Sequence, residues 1–166
     1  MLTITSIIGN IFHDKDLMDK FKQMESQKRC ERVKIPRLEL ERGRMRKNTD
    51  LGTDIGLVLD SRLYHGDVVL SDQERFIMVE QLPEKVVSIK ITNLKDDPIG
   101  LLTLGHIIGN RHKPIAINDG IFSFPIQADS EVEVFKKLLG DIVNNQDLVV
   151  EEQIFQPQRG MYLHEH

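Results

Sequence analysis

Tryptophan is absent from these 166 residues, tyrosine occurs only twice and cysteine only once. The lone Cys30 has no second thiol for an internal disulfide, nor for a C-x-x-C redox or zinc motif, so thiolate chemistry is not expected as the function. Long apolar runs are missing as well. The longest span a few residues, far short of the ~20 needed to cross a bilayer, and the start of the chain lacks the cationic, apolar and small-residue zones of a secretory signal. We therefore expect a cytoplasmic protein without a membrane role. No phosphate-binding glycine loop, G-x-S-x-G elbow or H-E-x-x-H motif occurs, and we read no enzyme here. The net charge of −4 gives no general attraction to nucleic acid.

What is present describes a globular chain, 40% apolar and 29% charged. Its pattern changes midway. Over residues 1–85, "LTITSII", "KIPRLEL", "IGLVL", "DVVL" and "FIMVE" read as short strands punctuated by Gly, Asp and Asn. These predict a small all-β barrel or sandwich. One stretch interrupts it: "DKDLMDKFKQMESQ" spaces Leu17, Met18, Phe21 and Met24 for one helical face, and is either a helix or a polar excursion between strands. After Leu82-Pro83, strands alternate with helices. "VVSIKIT" is a strand, and Asp97-Pro98 starts a helix expected to bury Leu101, Leu102 and Ile108. "PIAIN" and "IFSFPI" flank Asp119-Gly120, a tight-hairpin signature. Ser130 and Glu133 suggest a capping box ahead of Phe135, Leu138, Leu139 and Ile142. With "LVVEEQIF" as the last strand, residues 86–155 follow the order β-α-β-β-α-β, and the fold class expected is α+β, a β domain followed by a ferredoxin-like domain. Residues 156–166 read as a mobile tail.

Six histidines carry most of the remaining chemistry. His13 and His65 lie in polar turns and read as surface residues. His106 and His112 are six positions apart, ~120° around a regular helix, so they cannot meet at one ion. For His106, among Gly105, Ile107 and Ile108, a packed and hydrogen-bonded ring is the expectation. His112 falls at or just past the helix end, where the macrodipole favours a cation, and two readings stand: a helix cap, or a ligand. In the terminal "MYLHEH", His164 and His166 fall on one side of an extended segment and can chelate one ion. Imidazoles without hard oxygen cages suit nickel, copper or zinc. One structured histidine and two on a tail make a poor site alone. A two-fold axis beside His112 would supply two imidazoles there and up to four from the tails.

A basic stretch, "RLELERGRMRKN", lies in the first half. Alternation puts Arg42, Arg44 and Arg46 on one strand face, which is either a solvated edge or a dock for an acidic partner. Nucleic acid is disfavoured, because no aromatics are interleaved for base stacking.

Together "IIGNRHKPIAI" (107–117), "LELERGRMRKNTDLGTDIGLVLDSRLYHGDVVL" (38–70) and "PEKV" (83–86) resemble the urease accessory protein E family, dimeric nickel metallochaperones. The resemblance covers most of the chain, and its most specific part is the Gly-Asn-Arg-His signature that closes a helix. It implies a partner-docking or peptide-binding domain over 1–85, a metal-binding and dimerising domain over 86–155, and a metal-binding tail over 156–166. It also implies nickel as cargo, with zinc or copper competing in vitro, and as partners a urease maturation GTPase and the urease apoprotein. The interfacial ligand would be His112, joined by His164 and His166. The chain departs from some members in three ways. His106 precedes the signature histidine by six positions rather than five, Phe122, Phe124 and Ile126 stand where others have hairpin histidines, and the tail lacks a long histidine run.

Overall fold

In the computed structural model, which describes residues 1–158, the apolar run 76–79 is buried on both faces of one strand, β7 (Phe76–Gln81). This strand belongs to the first of two compact units into which the chain divides, Met1–Leu82 and the part from Pro83 onward. Its sheet has the order β2-β6-β7-β3, with β2 (Gly9–Asn10), β3 (Cys30–Ile35) and β6 (Asp67–Ser71). Side chains alternate across a strand. Ile77 and Val79 therefore enter one core, and Phe76 and Met78 another. The first core is shared with a three-stranded sheet, order β1-β5-β4, made by β1 (Leu2–Ile4), β4 (Arg44–Asn48) and β5 (Asp54–Val58).

The second core is covered by a helix, α1 (Lys15–Ser26), so the first unit is β-rich but not all-β. Leu17, Met18, Phe21 and Met24 form its apolar stripe and pack with Phe76 and Met78. The Asp14 side chain accepts from the amides of Asp16 and Leu17 at 2.9 and 3.1 Å, satisfying the free donors of the first turn. A second correction concerns "KIPRLEL". It is not one strand: β3 stops at Ile35, and Pro36, which has no N–H to continue a ladder, leads into a single 3-10 turn, Arg37–Glu39.

The second unit contains β8 (Glu84–Lys90), α2 (Pro98–Gly109), β9 (Ala116–Asn118), β10 (Ile121–Pro125), α3 (Ser130–Leu139) and β11 (Leu148–Gln153). Its sheet order is β11-β8-β10-β9, antiparallel throughout. One face holds Val87, Ile89, Phe122 and Phe124 in a core with Leu104 and Ile108 of α2 and Phe135 and Leu139 of α3. On the opposite face the chain beyond β11 continues over the sheet, with Phe155 packed in a small cluster with Val86 and Ala116. The whole is a mixed α+β structure with three α-helices among the described residues.

Local signals were realised at two of the three expected places. Asp97 accepts from the Gly100 amide at 2.9 Å, and Pro98 opens α2. Asp119 and Gly120 have φ of 50° and 75° and join β9 to β10 in a two-residue turn, with Asn118 opposite Ile121. The Ser130–Glu133 box is not formed. The helix begins one residue earlier, at an Asp129 cap, and the Glu131 carboxylate instead accepts from the amides of Gln127 and Ala128 at 2.7 and 3.3 Å. In α2, Leu104 and Ile108 are buried and Leu101 is half-buried, but Leu102 is 76% exposed. Two residues from Leu104 is ~200° around the helix, which turns Leu102 outward.

Phe124 is fully buried with its ring 4.6 Å from that of Phe135. Phe124→Ala is expected to cost about 3–5 kcal/mol, read as a lower urea midpoint at unchanged m-value. A loss below about 1 kcal/mol would mean that this core collapses around the gap.

Candidate metal site

The last turn of α2 sets the position of His112. The amides of Asn110, Arg111 and His112 donate to the carbonyls of His106, Ile108 and Gly109 at 2.9, 3.1 and 2.9 Å, which closes the helix and satisfies its end. At His112 the backbone turns left-handed, with φ of 52°. Glycine usually takes this position past a helix end, because a Cβ there costs roughly 1–2 kcal/mol. The cap is therefore made by the backbone, and the imidazole is not needed for it. The His112 side chain is exposed and makes no hydrogen bond among the described residues. A bulky polar residue held in a strained, exposed turn points to a role for its side chain outside folding.

His106 is exposed, contrary to the packed ring expected, because it is two residues from both Leu104 and Ile108, ~200° around α2 from its one buried face. Its Nε2 is 3.0 Å from the Asn110 side-chain nitrogen, one turn further on. His65 is half-buried rather than a surface residue. Its Nδ1 accepts from the Gln81 amide at 3.2 Å, its ring lies 5.2 Å from that of Phe12, and burial pushes its pKa down despite Glu80. His13 is exposed. Among the described residues no three His, Cys, Asp or Glu side chains come together closely enough to hold a metal. His164 and His166 lie outside the described residues. Among the described residues His112 is thus a lone exposed imidazole at a helix end.

One ion pair braces that presentation. Lys113, next to His112, reaches Glu131 at the start of α3 at 2.6 Å, and both side chains are largely covered. Burial raises the Glu131 carboxyl, but the Lys113 hydrogen bond and the Gln127 and Ala128 amides outweigh it, leaving the group below the usual carboxylate range. Glu131 thus ties the helix-end turn to the next helix. Nothing in the spacing of Lys113 and Glu131 announced this, since the pairing exists only through the fold.

The arginines of the first unit do not share a strand face. β4 begins at Arg44, so only Arg44 and Arg46 alternate outward, with Met45 turned toward the core. Arg42 lies before the strand, separated from it by a bend at Gly43, where a side chain would meet the Leu59 carbonyl at 2.5 Å; Arg42 stands 3.9 Å from Glu39. Arg46 grips Asp54 with two hydrogen bonds of 2.8 Å, and this guanidinium holds the Asp54 carboxyl below its ordinary pKa. Arg44 makes no ion pair among the described residues.

Two outcomes are expected. His112→Gly should leave stability unchanged or raise it by up to about 1 kcal/mol, since relief of the left-handed Cβ is partly offset by greater chain entropy; urea unfolding showing a clear loss would mean that the imidazole supports the fold. For Glu131, a carboxyl whose folded pKa is depressed, the stabilisation is fully present above the unfolded pKa of ~4.3 and is lost as pH falls through the lower folded value. Glu131→Gln should flatten that acid limb of a stability–pH curve.

Comparison with other chains bears on the β-rich unit and on the chain as a whole. Residues 4–82 match the model of the UreE urease accessory protein N-terminal domain. The chain is 31% identical over 153 residues to the urease accessory protein UreE of Staphylococcus epidermidis, covering 91% of this chain and 93% of that protein. It is 31% identical over 134 residues to the protein of that name from Natronomonas pharaonis, covering 80% of this chain and 63% of that one. For the Burkholderia lata protein the identity is 29% over 125 residues, with 73% and 54% covered. The chain thus spans under two thirds of the length of the last two, but nearly all of the staphylococcal protein, a match that runs through both structural units, and it belongs to the UreE urease accessory protein family.

Proposed function

We propose that this protein is a nickel-binding metallochaperone that delivers nickel for assembly of the urease metallocentre, acting as a two-fold dimer and not as an enzyme. The observation that carries the proposal is the His112 imidazole, exposed at the end of α2 and without a hydrogen bond among the described residues, in a left-handed turn that glycine would fill at lower cost. Such a residue is available to bind something. Imidazole selects borderline metals, and nickel among them is the cargo that the family resemblance implies. The second unit, with its β-α-β-β-α-β order, is read as a ferredoxin-like metal-binding domain. The first is read as the partner-docking domain, facing a urease maturation GTPase or the urease apoprotein. No nucleic-acid or membrane role is proposed, and no helix among the described residues is long and apolar enough to cross a membrane. The cytoplasm is the proposed location.

The dimer is supported by α2. Its inner face is buried, yet Ile99 and Leu102 are each 76% exposed on the other side. A helix apolar on both faces needs cover on both. Gly105 and Gly109 leave open space beside these residues, so a second backbone can approach closely. A two-fold copy of α2 seated here would bring two His112 turns toward one axis, with His164 and His166 of each chain as further ligands. A site so assembled holds its ion reversibly, as delivery requires.

The competing reading, an adaptor without a metal role, would use Arg42, Arg44 and Arg46. Two of the three are already engaged by Glu39 and Asp54, and of the three only Arg44 makes no ion pair among the described residues. Nickel titration separates the two readings. His112→Ala should remain a folded dimer yet lose the tight site of one metal per two chains, whereas His106→Ala should retain it. Leu102→Glu should shift the sedimenting species to monomer and abolish the same site. Undiminished binding by His112→Ala would favour the adaptor. Proton release on metal uptake is expected, because imidazole ligates only when neutral.

A further inference from the structure

We infer that the outer edge of β11 is a docking site for a partner protein, which adds an extended, basic segment there as a further strand of the sheet. The sheet order leaves one side of β11 without a neighbouring strand. In an antiparallel ladder, successive residues bond to opposite sides. The Ile126 amide donates to Lys85 and that of Ile91 to Gly120, so odd-numbered residues of β8 bond toward β10 and even-numbered ones toward β11. The register pairs Ser88 with Val149 and Val86 with Glu151, which points the N–H and C=O of Val150 and Glu152 outward. Those groups make no hydrogen bond among the described residues. The edge is not blunted by shortness, a bulge or a proline, since β11 has six residues in unbroken register. Val149 and Val150 are 46% and 37% exposed. Other edges differ. β9 has three residues, the Arg32 amide and carbonyl on β3 are both bonded to Asp50, and β4 is guarded by Arg44 and Arg46.

The side chains select the occupant. Glu151 and Glu152 are adjacent in a strand and therefore lie on opposite faces of the sheet. Glu151 stands opposite Val86, and Glu152 opposite Lys85, which Asp129 holds at 2.5 Å. Both carboxylates are exposed, and β11 itself contains no cation. A second copy of the strand would bring more carboxylates and nothing to neutralise them, whereas a basic segment pairs with both. Pairing is antiparallel, as throughout this sheet, and that fixes an order in the partner. Its two basic residues face Glu152 and Glu151, and the next two, apolar and β-branched, face Val150 and Val149. On the open face of the sheet, its side chains reach the rim of a groove of about 900 Å³ beside Val149, Glu151 and Ile154. Main-chain hydrogen bonds supply the affinity of such a complex, and the side-chain pairs its specificity. This edge lies across the sheet from β9, the strand that follows His112, and the proposal does not rest on the metal site.

The test is binding of a capped peptide, Thr-Lys-Lys-Val-Val-Thr, to the full chain, followed by chemical-shift titration and amide exchange. The Val150 and Glu152 amides should exchange more slowly with peptide bound, because they acquire acceptors. Val150→Pro removes an outward donor and no bond to β8, and should weaken binding about ten-fold. Replacing Glu151 and Glu152 together by lysine should weaken it by about the same factor and transfer the preference to Thr-Glu-Glu-Val-Val-Thr. This charge reversal decides the matter if the proline variant does not fold. Equal binding of the reordered peptide Thr-Val-Lys-Val-Lys-Thr would mean a general attraction for basic peptides and would overturn the proposal. So would absence of binding, or protection confined to other strands. Self-association of the chain without peptide, lost in Val150→Pro, would make the edge a contact between copies and overturn it as well.

Discussion

Everything proposed for this chain depends on the burial of one face of α2. Leu104 and Ile108 share a core with Phe122 and Phe124 of the sheet and Phe135 of α3, and this packing fixes both the rotation of the helix and the place where it ends. The rotation decides that Ile99 and Leu102 are left in solvent. The end decides that the chain must reverse at residues 110–112 to enter β9. An imidazole placed on a packed helix end is held more firmly than one on a long loop.

The local energetics at this turn are opposed and small. A left-handed His112 costs roughly 1–2 kcal/mol, a sum comparable to what a partly covered ion pair and two amide hydrogen bonds return through Lys113 and Glu131. The brace lies one residue from the strained position, where it restrains the turn without occupying the imidazole. In the first unit the charges are arranged differently. There Arg46 is joined to Asp54 and Lys47 to Glu39 across exposed surface. Pairs of that kind contribute little to stability and mainly suppress free charge on the edge strand β4.

The sheet of the second unit is covered unequally. Two helices bury one face, while the other carries serines, charged side chains and the crossing of residues 154–158. Val86 and Ala116 would be isolated apolar spots on that face, and Phe155 covers them. Residues 154–158 thereby gain a fixed course from a buried phenylalanine, a buried proline and the backbone hydrogen bond from Gln158 to Ile115.

Residues acting on their near neighbours were readable in advance. Asp97-Pro98 opens α2, Asp119-Gly120 turns the hairpin, and the spacing of Leu17, Met18, Phe21 and Met24 makes α1, because capping, positive φ and helical periodicity are settled within a few residues. The family and the location of His112 at a helix end were legible for the same reason. The misreadings have a common cause. Leu102 faces outward because the direction of the core relative to α2 is set by strands up to twenty residues away. Glu131 replaces Glu133 at the head of α3 because Lys113 waits there, and Arg42 leaves the arginine face because the turn at Gly43 must pass the Leu59 carbonyl. The sequence by itself determined the caps, turns and helical periods that act within a few residues, and the family to which the chain belongs. Only the tertiary structure decided which sides the elements show and which charges meet, since pairing between distant residues depends on packing that no local pattern records.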